Sequence, residues 1–458
     1  MKMITKRGIF LWLIIICFLG GLGFLTYSFV TEANEWVMHR YNYNLYSHGS
    51  FIGLGTIYDR NGVELVKTED SDKIYNEDEG IRKSTLHIVG DKKGFISTGI
   101  QETIDADLTG YSLLNGVYNI KKAGRGNDIK LSVEADVCET ALKALDGRKG
   151  TVGVFNYKTG EIICNVSSPT YDVNDIPKDI DSNDKYSGAY MNKLISGLYA
   201  PGSTFKIVVT ICAIENIPDI MDRTWKCTGS YKPEGGGEII CNATHGRINL
   251  KQALSKSCNS TFAQIAIELG TEKLTQTVKK LGLTSPVYID SIKSSTGRFD
   301  LSDAQTDDLG WAGIGQYTTM VSPVAMMRLA GAIGNEGKAV PMTYMYPENS
   351  NNPLKESSSA KEEQLMSPEV AEKLKELMRN NVKTNYGDYR YKGLHLCAKS
   401  GTAQIDDVTE HNTAWFVGFM DDSENPYAFV VVIEKGGSGS QNAGPVANKV
   451  LQKVVDKD

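Results

Sequence analysis

Hydrophobic positions follow three different periods along the chain, and each period predicts a different kind of element. Gly8 to Val30 carries no charge and is preceded by Lys2, Lys6 and Arg7. At ~1.5 Å per residue this run spans ~34 Å as a helix, enough to cross a hydrocarbon core. The basic flank predicts residues 1–7 as a cytoplasmic tail, 8–30 as a single-pass anchor, and the remainder outside the cell membrane. A cleaved leader fits less well, because Tyr27-Ser28-Phe29-Val30 offers no small-residue cleavage site.

From Thr31 to Lys130 the pattern turns polar, short-period and rich in turns. Gly55 to Val66 reads as two strands around Asn61-Gly62. Residues 31–130 are therefore expected to form a small β-containing stalk, a type of domain also suited to dimerisation. Val133 to Leu145 has helical periodicity and leads into a hairpin, Gly153–Asn156 and Glu161–Val166, followed by an Asp-rich loop. Ile207 to Ile214 is apolar throughout and reads as a buried helix. Gln252–Ser257 and Thr261–Gly270 read as helices broken at Cys258-Asn259, with Glu272–Lys280, Ser322–Ile333 and Glu369–Val382 as further helices. Asn349–Glu363 is a polar loop. Leu396–Ala403, Ala414–Phe419 and Ala428–Ile433 then read as three hairpin-connected strands, closed by a helix from Asn442 to Val455. Residues 131–458 are thus expected to be α+β, an antiparallel sheet flanked by helices.

Composition narrows the class. A chain of 458 residues implies two or more folded units, and a net charge of −6 with a pI near 5.7 gives no basic field for nucleic acid. Eight cysteines at irregular spacing do not make a disulfide scaffold, and Cys17 falls in the apolar run. Cys227 and Cys241 bracket a Gly-rich loop, Glu234–Glu238; an external compartment allows a bridge between them, and two free thiols are the alternative. The six histidines are scattered, so neither a metal nor a cofactor is expected.

The chemistry concentrates at Tyr199-Ala200-Pro201-Gly202-Ser203-Thr204-Phe205-Lys206. Pro201 and Gly202 punctuate the entry, Ser203 is read as opening the helix, and Lys206 follows one turn later on the same face. Burial would lower the pKa of Lys206 and let its neutral amine take the Ser203 proton. Ser182–Lys185 and Ser358–Lys361 share the spacing but lie in polar loops, and Lys158-Thr159-Gly160 sits in a tight hairpin turn. Only Ser203, Ser257-Cys258-Asn259 and Lys399-Ser400-Gly401-Thr402 combine one order with a helix start, a helix break and a strand. Cys258 is read as a packed side chain and His245 as structural.

These blocks, together with His245-Gly246, Gly313-Ile314-Gly315-Gln316 and Ala414–Phe419, resemble the serine penicillin-binding transpeptidases from about Asp136 onward. Gly55–Leu65 resembles the N-terminal block of the monofunctional class B members, and no glycosyltransferase domain fits before Thr31. The resemblance implies the serine β-lactamase/transpeptidase fold with an all-α subdomain, and a D,D-transpeptidase that cross-links peptidoglycan stem peptides and is acylated by β-lactams. It further implies Ser203 as nucleophile, Lys206 as base, Ser257 as proton relay, and Asn259 as a hydrogen-bonding partner of the substrate backbone. Lys399 would face the substrate carboxylate beside Ser400, Gly401 and Thr402, and the backbone N–H groups of Ser203 and Thr402 would form the oxyanion hole. A polytopic glycan polymerase is the implied partner, in a process such as cell-shape maintenance or division. A β-lactamase or carboxypeptidase and a non-catalytic β-lactam-binding scaffold are the rival readings.

Overall fold

Helix α1, Lys2–Val37, contains the apolar run as expected. Its stretch Lys6–Glu32, 27 residues with mean hydropathy 2.5, is long and apolar enough to cross a membrane. Thr26 and Thr31 donate their hydroxyls to the carbonyls of Leu22 and Tyr27, at 2.8 and 2.9 Å, so neither carries an unpaired polar group in that stretch. The computed structural model describes residues 2–37, 46–47, 50–51, 55–69, 72–103, 126–347, 361–404, 408 and 411–456. Much of the expected stalk, and all but the last few residues of the Asn349–Glu363 loop, lie outside the described residues.

The chain forms two units by contact: Met1–Ile57 with Val66–Ile74 and Ile104–Ile129, and Tyr58–Leu65 with Tyr75–Thr103 and Lys130–Asp458. Residues 75–103, read from the sequence as stalk, therefore belong to the larger unit. Their helix α2, Glu79–Val89, is capped by Asp78, whose side chain accepts from Ile81 N at 3.1 Å. In the larger unit α3 (Ala135–Leu145) precedes the hairpin β1 (Gly150–Asn156) and β2 (Ile162–Ser168). Next come α4 (Lys206–Asn216), the short strands β3 (Thr224–Cys227), β4 (Ser230–Tyr231), β5 (Ile239–Ile240) and β6 (Gly246–Asn249), and α5 (Leu250–Ser255). Helices α6 (Asn259–Lys280), α7 (Thr306–Gly313), α8 (Pro323–Gly334) and α9 (Pro368–Asn381) follow. Strands β7 (Leu396–Ala403), β8 (Thr413–Met420) and β9 (Tyr427–Ile433) and helix α10 (Gly444–Val455) complete it.

The sheet is antiparallel throughout, in the order β7-β8-β9-β1-β2, so β9 from the end of the chain pairs with β1 from the start of the unit. Every residue of β8 and β9 is buried, because helices cover both faces. Gly331 and Gly334 of α8 lie against Phe155, Tyr157 and Phe419, whereas the start of α10 approaches Phe416, which points the other way from β8. Helix α3 packs on α10 and on β2, with α2 beside it. Helices α4, α6, α7 and α9 form the helical part, in which α6 packs against α4 and α7. Gly270 at φ 78° interrupts α6 where the sequence predicts one helix ending and another beginning. Edge strand β7 borders this helical part through α9 and the turn before α4.

Candidate active site

The turn before α4 brings the backbones of two elements together. Gly202–Phe205 is a 3-10 turn and the α-helix begins at Lys206, so Ser203 stands one turn ahead of the helix rather than opening it. Gly202 enters this turn at φ 51°, a left-handed conformation, and a Cβ there would lie 2.7 Å from the carbonyl oxygen of Thr402. The missing side chain lets the Ser203 turn lie directly on β7. Trp415 Nε1 on β8 donates to Ala200 O at 3.0 Å and holds the approach to the turn.

Lys206 is fully buried, and its Nζ lies 2.8 Å from Ser203 Oγ, 2.8 Å from Ser257 O, 3.2 Å from Ser257 Oγ and 2.7 Å from Asn259 Oδ1. The Ser257 carbonyl and Asn259 Oδ1 can only accept, so they take two N–H groups of the amine. In the neutral amine the lone pair is then left for the Ser203 hydroxyl. Burial lowers the Lys206 pKa to about 7, against an opposing pull from the sulfurs of Cys258 and Cys241. Asn259 is fixed in turn, since its Nδ2 donates to Ile240 O at 3.0 Å.

Ser257 links the two lysines. It lies between α5 and α6 at φ 55°, a conformation non-glycine residues seldom adopt, and it turns its hydroxyl toward both amines. Lys399 Nζ donates to Ser257 Oγ at 3.0 Å and to Ser400 O at 2.7 Å. Lys399 is also fully buried; desolvation, and then repulsion from Lys206, push its pKa well below the ordinary lysine value. Ser203, Ser257, Asn259, Ser400 and Thr402 line one cleft of about 400 Å³. The structure thus gathers every sequence-predicted catalytic residue, with Lys206 and Lys399 beneath the cleft and Gly401 between its two lining neighbours on β7.

Other residues went unrecognised. Trp311, Asn385 and Asn412 also line the cleft. Tyr386 OH accepts from Ser400 N at 2.9 Å and lies 3.0 Å from Ser400 Oγ, tying the middle of β7 to the turn after α9. No local pattern around Tyr386 marks it, because its partner comes from a later strand.

Residues 150–454 match the penicillin binding protein transpeptidase domain. The chain belongs to this family. The peptidoglycan D,D-transpeptidase PbpA of Mycolicibacterium smegmatis is 26% identical over 400 residues, covering 79% of this chain and 80% of the relative. Pseudomonas aeruginosa PBP2 in complex with WCK 5153 superposes with a TM-score of 0.75 at 22% identity, over 89% of this chain and 97% of the other. The penicillin G acyl-enzyme complex of penicillin-binding protein A from M. tuberculosis has a TM-score of 0.73 at 22% identity, over 88% of this chain and 100% of the other.

One part of this penicillin-binding-protein unit departs from the sequence reading. Cys227 and Cys241 are free thiols, the second of the two alternatives the sequence left open. They converge with His245 and Cys258, two residues read as merely structural, and the three sulfurs and one ring nitrogen all lie within 4.8 Å of one another. The strand pairing explains why. Register β3–β6 places Cys227 opposite Gly246, next to His245, and pairing β4–β5 carries Cys241 back to Gly229, whose carbonyl accepts from Cys241 N at 2.9 Å. Cys258 caps α6, its sulfur accepting from Thr261 N at 3.4 Å and Thr261 Oγ1 at 3.3 Å.

Proposed function

We propose that the chain is a membrane-anchored peptidoglycan D,D-transpeptidase working through an acyl-enzyme on Ser203. The observation that carries this is the buried amine of Lys206, in reach of Ser203, Ser257 and Asn259 together. Ser203 Oγ attacks the carbonyl carbon of the penultimate D-alanine while its proton passes to Lys206 Nζ. As the C–N bond breaks, the proton moves through Ser257 Oγ to the departing D-alanine amine. An amine from a neighbouring stem then attacks the ester, gives up its proton along the same path, and regenerates Ser203.

The backbone N–H groups of Ser203 and Thr402 are assigned to the oxyanion, where losing one donor typically costs ~100- to 1000-fold. Asn259 is assigned to the substrate backbone. Lys399, with the hydroxyls of Ser400 and Thr402, is assigned to the substrate's terminal carboxylate; the arriving anion offsets the repulsion between the two buried lysines. A β-lactam would occupy the same cleft and acylate Ser203, as a penicillin does in the mycobacterial neighbour. Helix α1 would anchor the chain with Lys2, Lys6 and Arg7 in the cytoplasm. A polytopic glycan polymerase is the proposed partner of α1 and the stalk. Photocrosslinkers placed along α1 should capture it in cells, and capture of lipid alone would remove this assignment.

The primary test is intact mass after incubation with benzylpenicillin, for the full chain in detergent and for Ser203→Ala. The proposal expects a long-lived adduct in the first and none in the second, together with D-alanine release from a stem-peptide donor only when an amine acceptor becomes joined to it. Catalytic consumption of penicillin without a lasting adduct would reassign the chain as a β-lactamase. No adduct and no consumption of penicillin in a folded sample would leave a scaffold.

A further inference from the structure

Directly beside the cleft stands a constellation that the acyl-transfer steps leave unused. Cys227, Cys241, His245 and Cys258 come from four segments, β3, the end of β5, the start of β6 and the cap of α6. We propose that these four side chains bind one divalent ion of the zinc class, and that the ion fixes the Ser257-Cys258-Asn259 turn beneath Lys206.

All six donor–donor separations are within 4.8 Å, and three of them match those of a tetrahedral zinc site. Zinc bonds of ~2.3 Å to sulfur and ~2.0–2.1 Å to nitrogen, at tetrahedral angles, put ligand atoms ~3.8 Å apart for two sulfurs and ~3.6 Å apart for sulfur and nitrogen. Cys241 Sγ is 3.7 Å from Cys258 Sγ, and His245 Nδ1 is 3.6 Å from both Cys227 Sγ and Cys241 Sγ. A disulfide would need sulfurs ~2.05 Å apart and would leave the other two ligands without a role. Three thiolates and one imidazole select a soft, tetrahedral ion over calcium or magnesium, and they leave no open position for catalysis. The ion is therefore structural. The amide and hydroxyl of Thr261 at the start of α6 point at Cys258 Sγ and fix the position of that sulfur.

Its consequence follows from chain connectivity. Cys258 lies between the two residues that contact Lys206 Nζ, and Ile240, whose carbonyl holds Asn259 Nδ2, immediately precedes Cys241. The loop from Thr228 to Thr244 is also secured by two short hairpins, by packing of β4 and β5 on α6, and by Asn242 Nδ2, which donates to Lys256 O at 3.3 Å. An ion gripping both ends of that loop and the helix cap fixes the wall of the cleft, which Ile240, Cys241 and Asn242 help to line. Ser257 and Asn259 are thereby held by the metal, which acts as a positioning group and never touches substrate.

Purify the full-length chain in detergent, then measure bound metal by elemental mass spectrometry and exchange the ion for cobalt(II). One zinc per chain is expected. The cobalt form should show thiolate charge-transfer and tetrahedral d–d absorption. Cys227→Ser and His245→Ala, both away from the reacting groups, should weaken metal binding by more than the ~10- to 100-fold that loss of a supporting hydrogen bond costs. Chelating the ion from the unaltered chain, with folding followed by circular dichroism, should slow penicillin acylation of Ser203, and zinc should restore it. This control stands even where a variant fails to fold. A folded chain that takes up no zinc, or whose mass shows two hydrogens lost to a Cys241–Cys258 bridge, overturns the site. Bound zinc whose removal leaves acylation unchanged overturns its positioning role. Metal content is read independently of acylation, so failure of the proposed function and failure of this site are separable.

Discussion

Lys206 sets the pH behaviour. Its pKa is lowered to about 7 by burial, and the charged or titratable groups around it are Lys399, which shares Ser257 Oγ, and the thiols of Cys241 and Cys258. The base works only when neutral, so acylation should rise as pH climbs through about 7 and level off above it. Stopped-flow acylation by a fluorescent penicillin from pH 5.5 to 9 would measure this; a flat profile would remove Lys206 as base. Lys206→Met keeps the length of the buried stem and should slow acylation by ~100- to 10,000-fold with the fold intact. The Ser203–Lys206 pair was legible because three residues make one helical turn. The contacts that complete it span 51 residues to Ser257 and, from there, 142 to Lys399, so only recurring motifs exposed them. The cysteine cluster had no such signal. Its four members are spaced irregularly and meet only once two hairpins and a helix cap have formed.

At the scale of elements, strong periodicity and the break at Gly270 were readable, whereas two shorter helices were not. Strand β7 has the bounds the sequence predicts, and β8 and β9 differ from prediction by a residue or so, because both faces are buried and their apolar runs are continuous. Helix α7 was missed: Thr306–Gly313 is eight residues with two acids and two glycines, too short to show an apolar stripe. Helix α2 was absorbed into the expected stalk, although Arg82 grips Asp172 with two bonds, at 2.8 and 2.5 Å, inside the larger unit. How elements meet at the site yields two predictions. Gly202→Ala places a methyl against Thr402 O and should push the Ser203 turn off β7. A misplacement of ~1 Å costs on the order of 100-fold in rate. The acylation rate constant should therefore fall by about that factor. Tyr386→Phe leaves the Ser400 N–H without its acceptor and should cost about 1–3 kcal/mol in thermal unfolding. An unchanged melting temperature would show that water replaces the phenol.

On the scale of the whole molecule, the cleft depends on strands that are far apart in sequence. Strand β9 pairs with β1 along its length, joining Tyr427–Ile433 to Gly150–Asn156, and α10 closes over α3 on the face that Phe416 helps to build. The sequence showed each hairpin but not this joint, since pairing between the two ends leaves no local pattern. The sheet and the catalytic turn should therefore unfold together. Leu451 on α10 is fully buried, in the helix that packs on α3, and has no hydrogen bond to any residue of the cleft. Truncating such a leucine to alanine costs ~2–5 kcal/mol. In a unit of this size that lowers the melting temperature by several degrees. Leu451→Ala should lower the midpoint of tryptophan fluorescence and the midpoint for loss of penicillin acylation by the same amount. Below the transition its acylation rate should equal that of the unaltered chain. Two midpoints that separate would show that the helical part and the sheet unfold independently, and that closure by the chain's last helix does not hold the cleft.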